Sequence, residues 1–150
     1  MPSARPRSCA SSRTASCPPC WLGGGVRAGV DSLVSRVPVT VAVDVTAERV
    51  QPAIEATAYF IVAEALTNVV KHAGADHAQV RAWIEGGALR VEVRDNGVGG
   101  AREDTGLGLL GLADRVAAFD GQLRVSSPVG GGTLVSASLP LPPAWPEARR

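Results

Sequence analysis

The order of periodic segments in this chain predicts an α+β fold: a two-layer sandwich whose mixed, mostly antiparallel sheet carries helices on one face. Three observations predict it. Valines alternate with other residues in short runs such as Val39, Val41, Val43 and Val45, the pattern of a half-buried strand. One long segment, from about Pro52 to Ala73, instead repeats its apolar residues at three- and four-residue intervals. The segments run helix, strand, long helix, two strands, helix, two strands, and both late strand pairs are joined by glycine-containing turns.

Taken in order, residues 1 to 25 hold no periodic segment and are dominated by Ser, Pro, Arg, Cys and Gly, the composition of a disordered leader. All three cysteines, Cys9, Cys17 and Cys20, lie here. The Cys17–Cys20 pair lacks the second ligand pair a zinc site needs and the strand-to-helix junction of a redox pair, so it reads as incidental. Val26, Val30, Leu33, Val34 and Val37 fit a short amphipathic helix that Pro38 ends. After the first strand, Pro52 suits the first turn of the long helix, and Ile54, Ala58, Ile61, Val62, Ala65, Leu66 and Val69 form its apolar face. Gly74 closes it. Ala78 to Ile84 and Leu89 to Val93 form a hairpin about Gly86-Gly87, Leu109 to Phe119 a helix, and Gln122 to Ser126 with Thr133 to Leu139 a last strand pair. The domain is therefore expected over 26–141, followed by a Pro-rich, disordered 142–150.

Composition limits the partners. With 45% hydrophobic but only 4% aromatic residues, the core must be aliphatic. A net charge of +1 without a basic block gives no reason to expect nucleic acid or an anionic membrane surface. No uninterrupted apolar run approaches the roughly 20 residues of a membrane helix, so a cytoplasmic domain without membrane contact is expected.

The chemistry concentrates in two places. In the strand ending at Asp95, a carboxylate falls on the same face as Val91 and Val93, where burial is costly unless something donates hydrogen bonds to it. An exocyclic amine such as that of adenine would serve, although Asp95-Asn96-Gly97 is also an ordinary turn signal. On the long helix, Thr57, Glu64, Asn68 and Lys71 share one stripe at about 100° per residue. Lys71 is the only lysine beside fourteen arginines. Mg²⁺ is commonly held by one or two protein oxygens plus phosphate oxygens and water, so the side-chain oxygen of Asn68 can suffice. Lys71 could neutralise phosphate and Glu64 could orient water or act as a base. Gly106-Leu107-Gly108-Leu109-Leu110-Gly111 matches GxGxxG, but it follows a polar loop instead of a strand, which argues against a dinucleotide site. A helix N-terminus facing phosphate survives that objection.

The ordered combination of Glu64-Ala-Leu-Thr-Asn68-Val-Val-Lys71-His72-Ala73, Asp95-Asn96-Gly97-Val98-Gly99, Gly106-Leu107-Gly108-Leu109 and Gly131-Gly132-Thr133 closely resembles the ATP-binding catalytic domain of two-component sensor histidine kinases. It is similar to the nitrate-sensor and thermosensor subclass, in the superfamily that includes gyrase, the heat-shock chaperone and mismatch-repair ATPases. The resemblance implies the Bergerat-type ATP-binding fold and the cofactors ATP and Mg²⁺. It assigns Asn68 to the metal, Lys71 and His72 to phosphate, Asp95 to the adenine amine, and Thr133 to support of the adenine end. Gly97 and Gly99 would let the backbone approach the base, while Gly106, Leu107 and Gly108 would form the hinge and floor under the phosphates. Glu64 and Lys71 would be the catalytic pair. Val98 to Thr105 would form a short mobile lid, with Arg102 a phosphate contact. The implied reaction moves the ATP γ-phosphoryl group to a histidine on a dimerisation domain, from which a response regulator receives it.

The histidines of this chain are His72 and His77, and neither fits the phosphoacceptor role. The acceptor is therefore expected in trans or upstream, and the fragment is expected to bind ATP without phosphorylating itself. Residues Ala4 to Gly25, back-translated with mostly G/C-ending codons and read two bases later, can yield a segment resembling the family's lead-in helix, so a frameshifted leader over 1–25 is expected. Alternative readings are an anti-sigma-factor serine kinase, which Lys71-His72-Ala73 and the compact lid disfavour, and a nucleotide-binding module or truncated remnant without turnover.

Overall fold

The computed structural model describes residues 24–100 and 109–142. Residues 1–23 of the expected leader, with the Cys17–Cys20 pair, and Arg102, the Gly106-Leu107-Gly108 segment and the tail beyond residue 142 lie outside the described residues, as do the side chains of residues 72, 73, 109 and 110; Gly25, expected in the leader, instead begins the first helix.

Helix α1 spans Gly25–Val34 and strand β1 Thr40–Val45. The helix stops short of the expected Val37. Residues before a proline are pushed out of the helical region, and the chain tightens instead through Arg36 N–H to the Leu33 carbonyl and Val37 N–H to the Val34 carbonyl. Helix α2 spans Pro52–Asn68 and passes into a π-helical turn, Val69–Ala73, closed by left-handed Gly74 with φ 63°. That wider turn was not legible in the sequence, where one helical period runs through to Ala73. Strands β2 (His77–Glu85) and β3 (Ala88–Asp95) form the expected hairpin. Glu85 pairs with Ala88, leaving a two-residue turn in which Gly86 and Gly87 both take positive φ, as a type I′ turn requires. Helix α3 (Leu109–Ala117) precedes β4 (Gln122–Ser126) and β5 (Thr133–Pro140).

The five strands lie in the order β1-β2-β3-β5-β4. Only β1–β2 is parallel, because α2 carries the chain from one to the other as a crossover; the remaining pairs are antiparallel. All three helices pack on one face of the sheet. There Ile54, Ala58, Ile61, Val62, Ala65 and Leu66 of α2 meet Val80, Ala82, Leu89, Val91, Val93, Val135, Ala137 and Leu139 in one aliphatic cluster closed by Val30 and Val116. The segment Pro52–Lys71 is, by length and composition, a helix that could cross a membrane, although Glu55 and Glu64 interrupt its apolar run. Half of it is buried against the other elements, so it is accounted for as the core helix of the sandwich.

One buried charge was not foreseen. Glu55 is fully buried and accepts hydrogen bonds from Arg49 Nε at 2.8 Å, Arg49 Nη2 at 3.1 Å and the Val50 N–H at 3.1 Å. The clasp fixes the β1–α2 connection, and hydrogen bonding to Glu55 raises the Arg49 guanidinium further above its usual range. Gly25 lies so close to the Arg49 side chain that a Cβ there would overlap it, so the start of α1 rests on the same clasp.

Candidate functional site

The hairpin and the crossover bring the two predicted clusters to one end of the sheet. Only Gly74, Ala75 and Asp76 separate the π turn from β2. The first residue of β2, His77, accepts a backbone hydrogen bond from Asn96 N–H at 3.2 Å, just past the end of β3. The segment bearing Asn68 and Lys71 therefore ends beside the strand bearing Asp95. Helix α3 is followed by Gly121, which packs against the Ser138 carbonyl and Val116 at the end of β5 away from Thr133 and Asp95.

Asp95 is buried, at 7% exposure, on the helix-covered face of β3 as the alternation predicted. Its Oδ1 accepts the Gly97 N–H at 2.8 Å; this is the one hydrogen bond to the carboxylate among the described residues. The carboxylate thus retains acceptor capacity in a place shielded from water, the condition under which a donor from a ligand is worth most. Thr133 is its neighbour in register on β5, on the same face, and its hydroxyl hydrogen-bonds the Ser127 hydroxyl at 2.7 Å. Two glycines hold this corner together. Gly132, with φ 75°, leaves no room for a Cβ against the Asp95 carbonyl, and Gly99, with φ 70°, leaves none against the Pro128 carbonyl.

The missing Cβ of Gly99 also makes room for the β4–β5 loop, a close approach that the sequence did not show. The lid expected from Val98 is likewise tied at its start, since Gly130 N–H donates to the Val98 carbonyl at 2.6 Å and Gly100 N–H to the Ser127 carbonyl at 2.8 Å. Residues 101–105 of that lid lie outside the described residues.

On α2, Glu64 and Asn68 are half-buried and Lys71 is exposed. Among the described residues none of the three side chains has a hydrogen-bond or ion-pair partner. Thr57 does not join them: it is buried and its hydroxyl bonds the Ala53 carbonyl at 2.9 Å, so the predicted stripe begins at Glu64. The π turn also changes the angle of Lys71 relative to an unbroken α-helix, because each residue there turns the chain by less than 100°. An unpartnered amide oxygen at Asn68 fits a hard cation that takes its other ligands from phosphate and water.

Asp76, His77 and Asn96 form an exposed cluster beside Asp95. Asn96 Oδ1 accepts from the His77 N–H at 3.1 Å and the Asp76 N–H at 3.3 Å, while Asn96 Nδ2 donates to Asp76 Oδ1 at 2.9 Å. His77 Nδ1 lies 2.8 Å from the same oxygen. These contacts, Asn96 first, hold the Asp76 carboxyl below its usual range. The opposite, open face of the sheet carries a separate groove of about 420 Å³ lined by Arg90, Gln122, Arg124, Ser136 and Ser138 among others. None of the predicted site residues lines it.

A sequence model described as "Histidine kinase-, DNA gyrase B-, and HSP90-like ATPase" matches residues 53–143. The chain belongs to this family. Among curated relatives it is similar to the oxygen sensor histidine kinase NreB of Staphylococcus carnosus, 35% identical over 100 residues covering 64% of this chain and 29% of that protein. It is also similar to the sensor histidine kinase MctS of Rhizobium johnstonii, 38% identical over 84 residues covering 52% of this chain and 18% of that protein. The chain thus spans under a third of the length of these relatives. Among solved structures, the blue-light activated histidine kinase of Erythrobacter litoralis EL346 superposes with a TM-score of 0.65 at 26% identity, covering 75% of this chain and 39% of that one. Within the family, the similarity runs to the catalytic ATPase part of histidine kinases, as the motifs indicated. ATP binding and the mixed α+β sandwich follow with it.

Proposed function

We propose that the domain binds ATP with Mg²⁺ and positions the γ-phosphoryl group for transfer to a histidine on a separate dimerisation domain, for relay to a response regulator in the cytoplasm. The observation that carries the reading is the buried Asp95 carboxylate, with one hydrogen bond among the described residues, at the same end of the sheet as three polar side chains of one helix stripe that have no partner among those residues. In this reading Asp95 accepts from the adenine amine and Thr133 supports that end. Gly97, whose N–H fixes the carboxylate, lets the base approach.

Asn68 would hold the metal, which when bound neutralises phosphate charge. Lys71 and His72 would contact phosphate, and Glu64 would orient the proton or water nearest the transferred group. Gly106, Leu107 and Gly108 would close the phosphate end beside the N-terminus of α3, whose free N–H groups favour anions. Little covalent chemistry is required of the protein. Its task is to align acceptor and phosphorus and to compensate charge, which is how phosphoryl transfer is generally catalysed.

The test is incubation of the chain with γ-labelled ATP and a purified histidine-bearing dimerisation domain. Acid-labile phosphate on the partner is expected. ATP binding with no transfer to any such partner would make the chain a nucleotide-binding module, and absence of ATP binding would remove the reading altogether.

A further inference from the structure

Within the turn signal Asp95-Asn96-Gly97, the two polar side chains do different work. Asp95 makes the local bond such a turn normally makes, to the N–H two residues on. Asn96 makes none of that kind. Its carboxamide reaches back some 20 residues along the chain and forms three hydrogen bonds with Asp76 and His77, as acceptor twice and donor once. That uses three of the four or so bonds a primary amide can form, on a residue that is exposed and could have been left to water.

The geometry fixes what those bonds restrain. Asp95 is the last residue of β3 and Asn96 the next, so the peptide between them is the pivot about which the Asp95 carboxylate would swing. On the β5 flank, that pivot is limited by Gly132 packed on the Asp95 carbonyl. On the β2 flank, the limit is the Asn96 carboxamide together with the Asn96 N–H bond to the His77 carbonyl. The same carboxamide is joined to the three-residue link that leaves the π turn.

We propose that Asn96 is a positioning residue: its carboxamide pins the end of β3 to the start of β2 and so fixes the direction of the Asp95 carboxylate toward the adenine amine. This rests on the nucleotide reading above, in which Asp95 recognises adenine. Asn96 itself touches no nucleotide in this proposal, and its effect is on the choice of base.

The experiment compares ATP and GTP affinity by calorimetry for the wild-type chain, Asn96→Ala, Asn96→Asp, and Asn96→Asp combined with Asp76→Asn, at a temperature where thermal melts show each to be folded. Asn96→Asp keeps the acceptor for both N–H groups but sets two carboxylates against one another; the double variant restores a donor–acceptor pair with the roles exchanged. Expected is a loss of ATP affinity of about tenfold in both single variants, the size expected for one or two lost hydrogen bonds. The ATP-over-GTP preference should fall with it, and the double variant should return both. A structural role alone would lower melting temperature without moving that preference. Unchanged preference in both single variants, or failure of the exchanged pair to restore it, overturns the proposal while leaving ATP binding intact. A wild-type chain that binds no ATP overturns both readings together.

Discussion

At the Asp95 end of the candidate site the backbone is held on both flanks, whereas at the other end Asn68 and Lys71, beside and on a widened helical turn, have no side-chain partner among the described residues. Gly132 and Gly99 exclude any side chain between the β3 end and the β4–β5 loop, and Asn96 binds the other flank. Across the site, the described residues leave Asn68 and Lys71 open. The contrast follows from what each end would recognise. A base edge is read by direction, so the acceptor has to be aimed before the ligand arrives. Phosphate and its cation are read by charge, which tolerates movement and gains from donors not already committed elsewhere.

The sharpest way to break the rigid end is Gly132→Ala. The substitution forces a side chain into a left-handed conformation and against the Asp95 carbonyl. A loss of about 3 kcal/mol or more in urea unfolding is expected, combining backbone strain with overpacking. Stability within about 0.5 kcal/mol of wild type, the range of an ordinary surface change, would mean the corner is not tightly held.

Asp95→Asn comes next. It should leave the fold intact but cost ATP about 10- to 100-fold in affinity, the range for a hydrogen bond to a charged group, with little change for GTP. Equal loss for the two nucleotides would make Asp95 a structural residue and remove the distinction between the ends.

How much of this was visible beforehand depends on how local the cause is. Strand alternation placed Asp95 on the buried face, and the Gly86-Gly87 turn placed the hairpin register, because both follow from neighbours in the sequence. The stripe of Glu64, Asn68 and Lys71 was legible for the same reason, apart from the π turn, whose longer period leaves no residue signature in Val69–Ala73. Thr57 was misplaced because helical phase alone cannot tell a polar residue facing a ligand from one bonded to its own helix. The contacts of Gly99, Glu55 and Asn96 were missed since their partners, Pro128, Arg49 and Asp76, are set by tertiary packing or by a loop with no pattern of its own.

At the open end, Lys71→Ala and Asn68→Ala should change unfolding free energy by no more than about 0.5 kcal/mol, since neither side chain has a hydrogen-bond or ion-pair partner among the described residues. Both should weaken ATP severalfold more than adenosine, and Asn68→Ala should remove the magnesium dependence of ATP affinity. Equal loss for adenosine and ATP in calorimetry would show that the helix stripe also shapes the base end.

The smallest effect expected is in acid. Asp76 titrates below the usual carboxylate range because Asn96 donates to it, with His77 the second cause. A depressed folded value means that this cluster stabilises the protein above the ordinary carboxylate range and that the stabilisation fades as pH falls through the depressed value. Asn96→Ala removes the larger cause, so the fall of its urea midpoint in acid should be smaller than that of wild type, while Asp76→Asn should remove this contribution altogether. Because the first cause is a hydrogen bond and the second partly a charge, added salt should reduce only part of the shift. An acid limb that Asn96→Ala leaves in place, or one that salt abolishes entirely, would mean that the flank of β3 is held by charge alone and is no more rigid than the Lys71 end.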